Sequence, residues 1–268
     1  MYNLFGTQSL GKRRPDSSGC LFLLFVMLLI QVVPVQAQEK KSTSAEQVWL
    51  AYFNQTRLSD RWGLWGDFHL RTKDNLFSGL NTGIARVGLT YYANDDLKLT
   101  AGYAFVNHFP ADNHADVSRP EHRPWQQVQW HTKYKKLRLM QWIRLEERFR
   151  RKILDASTLA PGTNFNFRVR YNLFTMFPLS KKRFQPGTLS WVINNELHIN
   201  FGKEIVYNYF DQDRFFTGVQ YHVNSHDSFQ FGYQYVFQQL ASGSSYKKSH
   251  VIRCYYFHNP DLRKKNKK

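Results

Sequence analysis

Charged side chains recur at alternate positions in several stretches of this sequence, the spacing that places them on one side of a β-strand. Arg144, Glu146, Arg148 and Arg150 alternate in one stretch, Arg168 and Arg170 in the next, and Glu196 with His198 in the one after. If these stretches pair in order, guanidinium groups and carboxylates meet on a shared face. Arginine offers a planar fork of N–H donors that grips a carboxylate or phosphate through two bonds. That face could form an anion-selective lumen or a site for a phosphorylated ligand. It could also be a salt-bridge network that plugs a narrow barrel. Small barrels fill with their own side chains, so the structural role is the first expectation.

Asp67, His69 and Arg71 form a further alternating set near the start of the chain. A histidine between two charged groups could support acid–base chemistry, because it titrates near neutrality. Neighbouring inward residues on one strand more often join a polar network. His108, Asp112, His114 and Asp116 crowd a single loop, yet their spacing matches no standard metal site. His222, His226 and Asp227 flank a short turn. No Gly-x-Ser-x-Gly elbow is present. These residues predict no catalytic site, no metal and no cofactor. An enzyme acting on lipid or lipopolysaccharide stays open as the alternative.

The elements that position these residues are read from a two-residue hydrophobic period. Phe229, Phe231, Tyr233, Tyr235 and Phe237 share one face, opposite Ser228, Gln230, Gly232, Gln234 and Gln238. Equally clear alternation covers 137–150, 164–177 and 188–200. Weaker versions cover 47–58, 62–73, 82–93, 97–107, 125–134, 213–223 and 247–257. Helical periodicity is nearly absent. Short turns at 59–60, 94–96, 135–136 and 224–226 alternate with longer loops at 74–81, 108–123, 151–163, 201–212 and 239–246, and 181–187 is intermediate. Strands of about ten tilted residues cross a bilayer, and short turns on one rim with long loops on the other is the outer-membrane pattern. The fold expected is all-β, an antiparallel up-and-down transmembrane β-barrel.

Eleven strands are legible. Single-chain bacterial barrels have even strand numbers, so twelve are expected, with 205–210 as the extra strand and ten as the alternative. In the last strand, Tyr255 and Phe257 are read as lipid-facing, with Arg253 snorkelling on the same side. A secreted soluble β-barrel that binds a ligand is the other all-β reading.

Several segments, in order, resemble the bacterial domain-of-unknown-function family 2490, which is common in Bacteroidetes. They are Gln47-Val48-Trp49-Leu50, Asn54 through Asp60, Trp62-Gly63-Leu64-Trp65-Gly66-Asp67 and His69-Leu70-Arg71. Gly102-Tyr103-Ala104, Glu121 through Gln127 and Arg144 through Phe149 follow. Asn195-Glu196, Phe210 through Arg214 and Gly232-Tyr233 complete the series. The resemblance spans nearly all of residues 38–268. It implies an outer-membrane barrel with no assigned activity and supplies no catalytic residues. Barrels of this kind are inserted by the barrel-assembly machinery, and many end on an aromatic residue. Here the last aromatic, Phe257, is followed by a basic tail, 258–268.

Composition bounds the rest. Lys12, Arg13 and Arg14 precede an apolar run at 21–33, then Pro34 and the small-residue site Val35-Gln36-Ala37. This reads as a signal peptide, 1–37, followed by one barrel domain, 38–268. Only Cys254 then remains, so no internal disulfide forms. The 268 residues carry 37 Lys and Arg against 20 Asp and Glu, a net charge of +17. That charge favours anionic partners, here outer-membrane lipid, lipopolysaccharide or a small anionic solute. Export and the lack of any DNA- or RNA-binding motif argue against nucleic acid.

Overall fold

β-Branched and aromatic residues alternating with polar ones favour a pleated strand with two unlike faces. In the computed structural model, which describes residues 41–111 and 114–263, every such stretch is a strand. They are β1 (Lys41–Arg57), β2 (Trp62–Thr72), β3 (Leu80–Tyr92), β4 (Leu97–His108), β5 (Arg119–Lys133), β6 (Arg138–Ile153), β7 (Leu159–Pro178), β8 (Thr188–Phe201), β9 (Phe210–His222), β10 (Asp227–Gln239) and β11 (Ser245–His258). The shortest has 11 residues and the longest 20. Soluble domains use strands of roughly five or six residues, so these are long enough to cross a bilayer with tilt. The expected leader, 1–37, lies outside the described residues.

Consecutive strands pair antiparallel, and the sheet closes on itself through β1 and β11. Among the described residues the barrel therefore has eleven strands, one fewer than the twelve expected. The closing pair is parallel, in register from Lys41↔Ser245 to Asn54↔His258. Both features have one cause. In an up-and-down chain of odd strand number, the first and last strands run in the same direction, so closure between them must be parallel. The segment 205–210 is not an extra strand. Gly202 takes a positive φ of 126°, and the Ile205 N–H bonds back to the Gly202 carbonyl. The chain turns locally there, and only Phe210 joins β9.

The strands also run further than the hydrophobic pattern suggested. β5 starts at Arg119 and β7 at Leu159, and both extend through segments expected to be loop. Proline and charge interrupt the apolar alternation there (Pro120, Glu121, Pro124, Pro161), but pairing continues, in one register through β5 and with a shift at Pro161-Gly162 in β7. The loops 154–158 and 240–244 are accordingly hardly longer than the opposite turns.

The barrel has its polarity inverted relative to a soluble domain. Leu64, Phe68, Val87, Leu89, Ile143, Phe229 and Phe231 are exposed on the outside, while Gln127, Arg144, Glu146, His198 and Gln230 are buried within. After the last strand the chain turns along β1, where the Arg57 N–H donates to the Pro260 carbonyl and the Leu262 N–H to the Arg57 carbonyl. A hydrogen bond from Arg263 holds the Asp261 carboxyl down at about 2 in this clip.

Candidate functional site

The residues singled out by their alternate spacing converge. Asp67, His69, Arg144, Glu146, Arg148, Arg168, Arg170, Glu196 and His198 are buried in the lumen, and Arg71 lines it. Sequence reasoning missed Arg86, Glu121, Arg123, Asp211 and Arg214, which join them. Their inward parity was the available signal, obscured for Glu121 and Arg123 by the flanking prolines. Within the barrel, five carboxylates (Asp67, Glu121, Glu146, Glu196 and Asp211) face ten arginines (71, 86, 123, 144, 148, 150, 168, 170, 214 and 253), and Arg57, Lys98, Asp95 and Asp261 add charge at the turn-side end of the larger cavity.

Most of these arginines are paired. Glu121 accepts from Arg123 Nη2 at 2.8 Å, from Arg148 Nε at 2.7 Å and from Arg150 Nε at 3.3 Å, and lies 2.9 Å from His108 Nε2. Glu146 accepts from Arg168 Nη2 at 2.6 Å and Arg170 Nη1 at 2.7 Å. Arg168 also reaches Asp211 at 2.8 Å, and Arg170 also donates to Glu196 from Nε at 2.7 Å. Arg214 lies 3.5 Å and His198 3.3 Å from Glu196. Asp67 takes the Trp65 indole N–H at 2.6 Å and lies 2.9 Å from His69 and 3.4 Å from Arg86. Such charges persist away from water only when paired and hydrogen-bonded. Here the network is continuous across β5 to β9, and Asp67, His69 and Arg86 form a separate cluster on β2 and β3.

Three arginines differ. Arg71, Arg144 and Arg253 have no carboxylate within salt-bridge distance among the described residues. Their guanidinium carbons lie over aromatic rings instead. Arg71 sits 3.8 Å above Trp49, Arg144 4.3 Å from Trp125 and Arg253 3.7 Å from Phe216. Arg253 thus points inward, which corrects the snorkelling assignment. Tyr255 is buried on the same side, and Phe257 stacks on Phe53 at 4.9 Å. Aromatic residues lead a sequence reading toward the lipid face, but in β11 they line the lumen and Ile252 is exposed outside.

Facing glycines make room for two of these rings. Gly88 opposes Gly102, and Gly218 opposes Gly232. A Cβ on Gly102 would collide with the Val87 carbonyl and lie 2.9 Å from the Trp125 ring; one on Gly232 would lie 3.0 Å from Phe216. We expect Gly102→Ala to destabilise the barrel by about 1–3 kcal/mol, as overpacking does. The check is the temperature at which the detergent-folded protein loses its fast gel mobility, which should fall. An unchanged temperature would contradict the packing described.

The lumen holds two cavities. The larger, about 490 Å³, extends to the turns that join β3 to β4 and to the segment 259–261. The smaller, about 230 Å³, lies toward the loops and is lined by Asn81, His108 and Gln238 among others. Arg71, Arg86, Arg170 and Arg214 line both.

The loop histidines do not assemble a site. His108 is committed to Glu121, and His114 Nδ1 lies 2.8 Å from the Val117 carbonyl. Asp112 lies outside the described residues. His222 pairs with Ser190 at 2.9 Å inside the barrel, whereas His226 and Asp227 bond to Asn259 and Tyr256 at the rim. Among the described residues, no group of three His, Cys, Asp or Glu is placed to hold a metal ion.

A closed barrel, apolar outside and packed with arginine and carboxylate inside, is the class of protein defined by these observations. Residues 46–247 match the family profile described as "Protein of unknown function (DUF2490)", and the chain belongs to that family. No curated protein matches the chain. Among solved structures, one titled as the NanC porin in a rhombohedral crystal form aligns over 74% of this chain and 91% of its own, with 11% identity and a TM-score of 0.42.

Proposed function

We propose that this protein is an outer-membrane barrel through which small anionic solutes pass. The observation that carries the reading is the lumen's surplus of arginine over carboxylate, enclosed by an apolar exterior. An anion entering at either rim meets guanidinium groups throughout, because four arginines line both cavities. Low-dielectric walls strengthen that attraction and exclude cations. The exterior supports a lipid environment, since exposed apolar side chains encircle the strands. Lipopolysaccharide and lipid would then be its surroundings, and the barrel-assembly machinery its route of insertion.

Recording from planar bilayers tests this reading. Folded protein under a potassium chloride gradient should show discrete conductance with a reversal potential displaced toward chloride. Silence, or a displacement toward potassium, would overturn the passage of anions.

A further inference from the structure

Seven of the ten lumenal arginines are held by carboxylates, and their role in the network is complete. The other three share a different setting. Arg71, Arg144 and Arg253 come from three strands, β2, β6 and β11, and all line the larger cavity. Arg144 is 2% exposed and Arg253 6%. The guanidinium carbon of each lies over an aromatic ring rather than beside a carboxylate, so its N–H groups have no anionic acceptor among the described residues.

Part of that edge is unused. Arg144 donates Nε and Nη2 to Gln127, and Arg253 donates Nη1 to Gln234 and Nη2 to Gln230. Arg144 Nη1, Arg71 Nε and Arg253 Nε are buried without an acceptor, and so are Arg86 Nε and Gln234 Nε2 in the same wall. Every one of these atoms is a donor. The His69 ring nitrogens in this wall are unmet as well, but the guanidinium and amide donors outnumber them. A cavity whose unmet groups are mostly donors, beside three uncompensated cations, selects an acceptor that carries negative charge.

The rest of the wall says what that charge is attached to. Phe53, Trp142, Phe174, Tyr255 and Phe257 present ring surface to the same cavity. A bare inorganic anion would leave those rings against water. A cavity of about 490 Å³ falls within the roughly 300–1,000 Å³ of small-molecule sites, which combine apolar walls with a few convergent polar groups.

We propose that the larger cavity is a binding site for an organic acid carrying a flat apolar ring, its carboxylate on the free edges of Arg71, Arg144 and Arg253 and its ring among the aromatic side chains. This rests on the reading of the lumen as a place for anions, and it adds the chemical class and the location.

The experiment is titration calorimetry on full-length protein folded in zwitterionic detergent at low salt. The probes are phenylacetate, acetate, phenethylamine and inorganic phosphate. Phenylacetate should bind saturably, and each of the other three at least about tenfold more weakly, because each lacks either the ring or the carboxylate. Arg71→Gln, which removes the arginine with the fewest structural bonds, should weaken phenylacetate about tenfold, as should Arg253→Gln. Lys135→Gln, in a turn outside the lumen, should leave it unchanged. If one arginine variant fails to fold, the other decides the matter, and the probe series on unaltered protein decides it independently. Absence of saturable binding would overturn the proposal. So would acetate or phosphate binding as tightly as phenylacetate, or full affinity in a folded arginine variant. Bilayer recording separates this from the reading beneath it. Anion-selective current without phenylacetate binding removes only the site, whereas binding without current removes only the passage.

Discussion

Glu121→Ala is expected to destabilise the barrel by about 3–5 kcal/mol, the cost of stranding buried charge. Glu121 is fully buried and holds Arg123, Arg148 and Arg150. Among the described residues Arg148 and Arg150 have no second carboxylate within 4.0 Å, so both lose the one that holds them. The central Glu146 makes an instructive contrast. Its partners each keep another carboxylate, Asp211 for Arg168, Glu196 for Arg170 and Glu121 for Arg123. Glu146→Ala should therefore cost clearly less than Glu121→Ala, although Glu146 is equally buried. Adding Arg148→Met to Glu121→Ala should restore part of the loss, since removing the second charge of a pair relieves the first defect. Urea unfolding of the protein in lipid vesicles, followed by tryptophan fluorescence, measures all three. Equal losses at Glu121 and Glu146, or no recovery in the double variant, would show that the network is not partitioned as described.

The second large effect concerns the outer surface. Phe231 lies midway along β10, opposite Val219 and Cys254, and is 57% exposed. Phe231→Arg should cost about 2–4 kcal/mol, as a charge at the bilayer midplane does in a barrel. Gln239→Arg, on the same face at the end of β10, should cost about 0–1 kcal/mol, because the cost fades toward the interface. The same unfolding measurement compares them. Equal, small losses would mean that position 231 does not face lipid.

How much of this was legible in the sequence depends on the strand. Phe229, Phe231 and Tyr233 alternate so regularly with Gln230, Gly232 and Gln234 that β10 reads with its faces assigned, and the structure keeps them so. β11 defeats the same reasoning. Its alternation is clear, but aromatic rings line both sides, and Arg253 took the wrong face because a polarity pattern cannot tell a lumen-facing Tyr255 from a lipid-facing one. The even strand number failed for another reason. It assumes antiparallel closure, and a register such as Trp49↔Arg253 joins residues from the two ends of the chain, beyond the reach of any local pattern. The charged candidates were recognised by spacing alone. Their division into a paired network and three free guanidinium groups was not visible, because partners such as Arg168 and Asp211 are 43 residues apart and meet only through the barrel.

The claim beneath all of this is that alternate residues of each strand face lipid and a wet, polar interior. Spin labels placed singly along 228–237 of β10, in a Cys254→Ser background and in lipid vesicles, test it most directly. Collision with oxygen, which concentrates in lipid, should peak at 229, 231 and 233, and collision with a water-soluble nickel chelate should rise at 228, 230 and 234. Uniform water exposure of both sets, or the reverse phase, would contradict the account.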